Sequence, residues 1–439
     1  MTQLQAIASG FLSSPRRVVP SPAARWSKTA IILMFAALLL PRGVELQLGT
    51  IMVNPLRILL TGLALGAARR LAERQVRLAI SLADGLLIAH VCIIVISALA
   101  HGGLDEGLEN ATASVIDMGL AYFVARAAVH DVASYRYFVR VMLIIAAISG
   151  VFGLVEMMGG YSVIRGVFQP FFPRVPYVYL ENQRLGLYRA TATFPADILF
   201  GLYCTLAIGL AVCIGARNLG MRPGLYRTAV TLSLVGVFSS LSSAPWLACG
   251  LIVMILAYDR FLRKVRHRLR LLLFSSAAAF VVLGVISNRG PLRLLVDYLT
   301  LNPESGYVRM AMLECVWALV PDYWALGWGW GNDWPRIVEW YKWNSIDCFY
   351  AVLFVRSGVF AVLSFLAFLF YSWYGIGRAS RYAPSIANDA KGWTVTTACF
   401  AVAVFSVDVF GNFVVPVYAL LGAGQVLMLP TSRFGRGER

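Results

Sequence analysis

The sequence predicts an all-α protein, a polytopic transmembrane helix bundle of about twelve spans. Three observations predict it. Of 439 residues, 59% are hydrophobic and 14% charged, and the mean hydropathy is +0.71, outside the range of soluble domains. Apolar stretches near the ~20 residues that cross a bilayer recur along the whole chain. The basic residues gather in the short segments between alternate stretches, where topology-setting charges belong. A net charge of +16 would point to nucleic acid in a soluble protein. Here its distribution assigns it to membrane orientation, and no nucleic-acid partner is expected.

Taken in order, spans are expected at about 29–47, 51–68, 78–100, 109–127, 137–158, 193–214, 228–242, 244–258, 270–287, 347–373, 393–410 and 413–430. The first is short, with Pro41 and Arg42 near its end, and it leads straight into further spans, unlike a cleavable signal. The seventh and eighth are separated only by "LSSAP" and are expected to form a tight hairpin, with "SSLSSAP" (239–245) offering small hydroxyl residues for close packing. With the N-terminus cytoplasmic, the inside segments hold 26 of the 38 Lys and Arg residues. This gives a cytoplasmic tail over 1–28, one transmembrane domain over 29–430, and a second cytoplasmic tail over 431–439.

Two outer segments are long, near 159–192 and 288–346. Their composition is that of ordered chain at a membrane interface. The first contains "VFQPFFPRVPYVYL" and the second carries Trp317, Trp324, Trp328, Trp330, Trp334, Trp340 and Trp343. "SGYVRMAMLECVWALV" (305–320) is expected to be an amphipathic helix.

Ionisable groups at membrane depth are costly, so each calls for an account. Arg165, Arg184, Arg189, Arg309 and Arg356 all fall on the outer side. A guanidinium stays charged and bonds phosphate oxygens bidentately, so such a cluster suits a phosphate-bearing lipid. For one arginine alone, snorkelling to headgroups is the commoner explanation. Arg189, in "GLYRATATFPADILFGLY", has no acidic neighbour between Leu185 and Ala196, and Asp197 is about two helical turns inward. Asp347 opens "NSIDCFYAVLFVRSGVFAVL"; it is either a helix cap or a general base. Arg356, nine residues on, pairs with Asp197 or Asp347 or simply balances charge. "GWGWGND" follows no strand and reads as a turn; there is no phosphate-binding G-x-x-x-x-G-K-[ST] loop. Seven scattered cysteines and four histidines lack metal-ligand spacing, so neither a disulfide framework nor a metal or other cofactor is expected.

The order of these features, "YRATATFPADILFGLY", "SLSSAPWLACGLI", "GYVRMAMLECVWALVPDYWALGWGWGNDW" and then "IDCFYAVLFVRSGVFAVL", resembles the O-antigen polymerase/O-antigen ligase superfamily, most closely its exopolysaccharide polymerase (Wzy-type) branch. Arg189, Thr193, Phe194 and Pro195 match the family's arginine and "G-x-F-x-x-P" helix start, with Thr191 or Ala192 where the family has glycine. Arg309 and the Gly327, Gly329, Gly331 turn match its next segment, and Asp347, Phe349, Tyr350 and Gly358 its late helix, where ligases typically carry histidine rather than Asp347.

The resemblance implies a metal-independent, inverting glycosyltransferase acting on undecaprenyl-diphosphate-linked repeat units at the periplasmic face of the bacterial inner membrane, with a flippase and a chain-length regulator as possible partners. It implies that Arg189 and Arg309 hold diphosphate or glycan and that Asp347 orients or deprotonates the acceptor. Arg184, Arg165, Arg356, Trp328 and Tyr350 are the expected substrate contacts. A ligase is the alternative in the same reaction class. A transporter of lipid-linked sugar is the alternative in another, disfavoured because the span interiors carry almost no charge.

Overall fold

The computed structural model describes residues 22–48, 51–73, 80–103, 106–176, 178–262, 303–318, 320–330 and 346–428, with a few isolated positions between 264 and 282. The tails, most of the expected ninth span (270–287) and much of the second outer segment lie outside the described residues, including Trp334, Trp340 and Trp343.

The described chain is almost entirely helical. α1 (Pro22–Ala36) leads through an antiparallel hairpin, β1 (Leu46–Leu48) and β2 (Ile51–Val53), into α2 (Pro55–Ala72). α3 (Leu82–Gly102) follows. Next comes a helix in three pieces: α4 (Glu106–Ser114), a π-helical stretch (Val115–Leu120) and α5 (Ala121–Ala128). α6 (Val132–Gly159) runs to the short α7 (Val163–Phe168) and a small hairpin, β3 (Gln183–Arg184) and β4 (Leu187–Tyr188). Then come α8 (Asp197–Asn218), α9 (Pro223–Ser239), α10 (Ser243–Phe261), α11 (Pro303–Ala318), α12 (Val320–Tyr323), α13 (Phe349–Tyr382), α14 (Ala387–Ala403) and α15 (Val414–Gly424).

Among the described residues six helices are long and apolar enough to cross a membrane: α3, α6, α8, α10, α13, and α15 with its flanking turns over Gly411–Met428. The others are shorter or interrupted. α2 carries Arg57, Arg69 and Arg70, and the segment after α3 holds Glu106, Glu109 and Asp117 and is broken by its π-helical stretch.

Local chemistry fixes the helix ends. Ser81 and Asp84 form a reciprocal capping box at α3, and Asp131 and Ser134 do so at α6. Asn54 caps α2, with Pro55 in its first turn. α6 ends on Gly160 in the left-handed conformation. Small residues set the closest helix approach: a Cβ on Gly150 of α6 would lie 2.0 Å from the Leu232 carbonyl oxygen of α9. The expected tight hairpin of the seventh and eighth spans does not form. α9 and α10 are joined by Ser240–Ser242, but α9 packs along α6 and α8 while α10 packs along α8 and α14. The serines serve the connection itself: Ser239, Ser240 and Ser242 are fully buried there.

The far end of the bundle is tied by paired charges. Arg126 meets Asp84 at 3.2 Å, with the Tyr122 hydroxyl donating to the same carboxylate, and Arg136 meets Asp389 at 2.7 Å. The starts of α8, α10, α13 and α15 and the ends of α3, α6, α9 and α14 converge on the opposite end. There the chain leaves its helices to build two cavities.

Candidate functional site

The first cavity is built by the segment between α6 and α8. Its foundation is Glu156, 1% exposed in the last turn of α6. Glu156 accepts hydrogen bonds from the Ser162 hydroxyl (2.5 Å) and from the backbone N–H groups of Thr191 (2.8 Å) and Ala192 (2.7 Å). Two successive N–H groups converge on one carboxylate because Ala192 takes φ +48°, the left-handed region. Left-handed backbone favours glycine, so alanine is held here against its own preference by the carboxylate beneath it.

The turn over Thr191–Ala196 doubles the chain back and brings Asp197, which sequence separation alone does not pair with Arg189, against it. The two form an ion pair. The Ser242 hydroxyl, from the α9–α10 connection, donates to Asp197 and accepts from Arg189 Nη2 at 2.8 Å. The Arg189 Nε–H has no acceptor among the described residues. Arg165 donates to the Thr191 hydroxyl at 2.6 Å; burial lowers its pKa, and the nearby Glu156 carboxylate opposes that shift. Arg184 donates to the Leu241 carbonyl at 2.8 Å.

Arg165 and Arg189, with Arg42, line a cavity of about 300 Å³ that also receives Glu181, Asn182 and Asp197. Three guanidinium groups against two carboxylates leave the lining one positive charge in excess, and the N-terminus of α8 adds its partial positive charge. The structure thus brings Arg165 and Arg189 to one cavity, while Arg184 is bonded to the α9–α10 connection beside Ser242 and is not part of that lining. The backbone of Arg309 lies in α11; its side chain lies outside the described residues.

The second group assembles at the start of α13. The helix begins at Phe349, whose N–H donates to the Val404 and Val407 carbonyls. The cap position is Cys348, with no side-chain cap bond, so Asp347 precedes the cap and the structure does not use it as one. Tyr350 is 8% exposed, and its hydroxyl donates to the Ala401 carbonyl at 3.0 Å, a packing arrangement.

Farther along, α13 is broken at Gly358 (φ 76°, ψ −179°). The described part of the glycine-rich turn, residues 324–329, docks on the break: Trp328 N–H donates to the Val355 carbonyl (2.6 Å), Gly329 N–H to that of Arg356 (3.1 Å), and Val359 N–H to that of Trp324 (2.7 Å). Arg356, 7% exposed, donates back to the Gly329 carbonyl at 3.1 Å. Trp328 therefore acts here through its backbone. Of the alternatives the sequence left for Arg356, pairing with Asp197 is not the one found, since Asp197 faces Arg189 and Ser242.

Beside this turn lies a second cavity of about 220 Å³, lined by Arg57, Asn110, Asp117, Trp330, Asp408 and Gly411 among others. Arg57 grips Asp117 with Nε and Nη2, at 2.7 Å for the shortest contact. Trp330 is fixed by donating to the Ser357 hydroxyl (2.7 Å) and by accepting from Asn110 at its carbonyl (2.7 Å). Asp408 sits in the connection between α14 and α15. Burial pushes its carboxyl up to about 7; the Asp347 charge adds to the rise, while the Val409 N–H and Arg356 oppose it. The two cavities share a wall. Gly411 abuts Pro195, where a Cβ would come within 2.8 Å, and Asn412 donates to the Thr193 carbonyl at 3.2 Å.

Glu156, Ser242, Asp117 and Asp408 escaped the sequence reading. Asp117, Glu156 and Asp408 all fall inside expected spans (109–127, 137–158 and 393–410), which corrects the expectation that the span interiors carry almost no charge; a carboxylate inside an apolar run was the signal for them. Among the described residues no group of His, Cys, Asp and Glu is placed to hold a metal ion. Compared with known proteins, the chain matches no family model and no curated protein.

Proposed function

We propose that this chain is a metal-independent, inverting membrane glycosyltransferase that polymerises undecaprenyl-diphosphate-linked repeat units at the periplasmic face of the bacterial inner membrane. The observation that supports it is the cavity lined by Arg42, Arg165 and Arg189 at the N-terminus of α8. Diphosphate is the leaving group of such a transfer. Fixed guanidinium groups and a helix N-terminus stabilise the charge it gathers in the transition state. An acceptor sugar hydroxyl attacks the anomeric carbon from the opposite face, the bond from that carbon to the diphosphate oxygen breaks, and the leaving group departs with the electron pair. Arg189 and Arg309 hold the diphosphate, Arg165 and Arg184 shape the Arg189 side, and Asp347 orients the acceptor.

In this reading the chain makes about twelve spans with both termini cytoplasmic, as the distribution of Lys and Arg supports. The test is the lipid-linked glycan of a strain deleted for the chain. Single repeat units should accumulate, and wild-type protein should restore polymer while Arg189→Ala and Arg165→Ala, present at normal levels, should not. Accumulation of long lipid-linked polymer would point to ligase activity instead. Full polymer from both variants would sink the arginine site.

A further inference from the structure

The second cavity sets a few polar groups in a mostly apolar lining that includes Met118, Phe349, Val352, Leu353 and Val414, and nothing in the first cavity accounts for it. Arg57 and Asp117 hold each other in a fixed fork and present a donor and an acceptor side by side. Asp117 stands in a π-helical stretch, a distortion that costs helix geometry and recurs at functional positions. Asn110 adds an amide, and Trp330, locked at both its indole N–H and its carbonyl, adds an apolar ring surface. This mixture of fixed donors, acceptors and an aromatic face matches a sugar, whose hydroxyl edges and C–H faces need both.

Asp408 is the exception in the lining. One oxygen accepts from the Val409 N–H at 2.7 Å, and the other has no donor among the described residues. The charged groups around it are Asp347, just ahead of α13, Arg356 on α13, and the Arg57–Asp117 pair on the cavity's far side. The wall formed by Pro195 and Gly411 places this cavity next to the arginine cavity.

We propose that the second cavity is the acceptor subsite, seating one sugar ring of the incoming repeat unit, and that Asp408 is the catalytic base. This rests on the glycosyltransferase reading above. As the acceptor hydroxyl oxygen forms its bond to the anomeric carbon, its proton passes to the free carboxylate oxygen of Asp408. The electron pair of the cleaved bond leaves on the diphosphate, so the carboxylate ends protonated and the diphosphate carries the charge. Asp347 becomes a positioning residue: burial raises the basicity of Asp408, and the negative charge of Asp347 adds to that rise.

The experiment uses the full chain reconstituted in proteoliposomes with lipid-linked repeat units extracted from the deletion strain, reading the glycan ladder between pH 5.5 and 8.5. The base must be unprotonated to work. The wild-type rate should therefore rise about tenfold per pH unit on the acid side and level off above about 7. Asp408→Asn should lose at least ~100-fold in rate, and Asp408→Glu should recover part of it. Arg189→Lys should be slower but keep the wild-type pH midpoint. If Asp408→Asn emerged from gel filtration unfolded, the wild-type profile and Asp408→Glu would decide. An Asp408→Asn enzyme that elongates at the wild-type rate, or a wild-type rate flat across that range, overturns the assignment while leaving polymerisation standing. A wild-type protein that lengthens nothing removes the polymerase reading and this inference together.

Discussion

Replacing Gly358 with alanine should uncouple the glycine-rich turn from α13. At φ 76° and ψ −179° the backbone is in a region essentially reserved for glycine, so an L-residue costs about 1–3 kcal/mol before any contact is considered. The new Cβ would lie 2.0 Å from the Ala325 carbonyl oxygen, a backbone atom that cannot rotate away. Relief requires the 324–329 turn to lift off. It then loses the three backbone hydrogen bonds at Val355, Arg356 and Val359, worth about 1 kcal/mol each. The total is about 4–6 kcal/mol, a large part of the ~5–15 kcal/mol that holds a folded protein together. Gly377, in the same helix, has no atom within 4 Å of an added Cβ, and alanine there should gain about 0.5–1 kcal/mol. Thermal unfolding of the two variants in one detergent, followed by gel filtration of the soluble fraction, should separate them widely, with Gly358→Ala far below wild type. Melting within about 1 kcal/mol of each other would refute the view that the break in α13 is held open by that turn.

Other expectations concern the first cavity and the topology. Glu156→Ala should leave three donors without their acceptor in a buried site, costing about 3–5 kcal/mol and exposing the 160–192 segment to limited proteolysis. An unchanged digestion pattern would show the segment is held by other contacts. Ala192→Gly relieves a left-handed alanine, while Ala190→Gly does not; both alanines are fully buried, so the first variant should melt about 1 kcal/mol above the second. Asp347→Asn should reduce glycan elongation more than Glu304→Gln does, since Asp347 does not cap α13 and its charge faces Asp408; equal activity of the two variants would reverse that role. A topology reporter fused near Ser305 should score periplasmic, and a cytoplasmic score would overturn the orientation.

Much of the architecture was legible because membrane helices write themselves locally. Twenty apolar residues in a row, a Ser-x-x-Asp box before α3 and a glycine after α6 each act within one or two turns. The sites were less legible because their bonds join distant positions: Arg57 to Asp117, Arg189 to Ser242, and Ser97 to the carbonyl of Arg356. The arginines could be named as candidates by type and side, but their partners could not: separation along the chain does not show that the turn over Thr191–Ala196 returns Asp197 to Arg189. Carboxylates inside apolar runs carried more information than the cations did, because a buried carboxylate must be accounted for by its surroundings. Glu156 meets that demand in full, with three donors drawn from two loops. Asp408 meets it with a single backbone N–H and lies beside a second negative charge, Asp347. Packing alone gives no reason for a carboxylate there, since asparagine would fill the same space and keep the Val409 hydrogen bond without the cost of a buried charge. On the acceptor-subsite proposal the reason is chemical: a carboxylate left half-satisfied beside a cavity is one that an incoming hydroxyl can bond to and hand a proton.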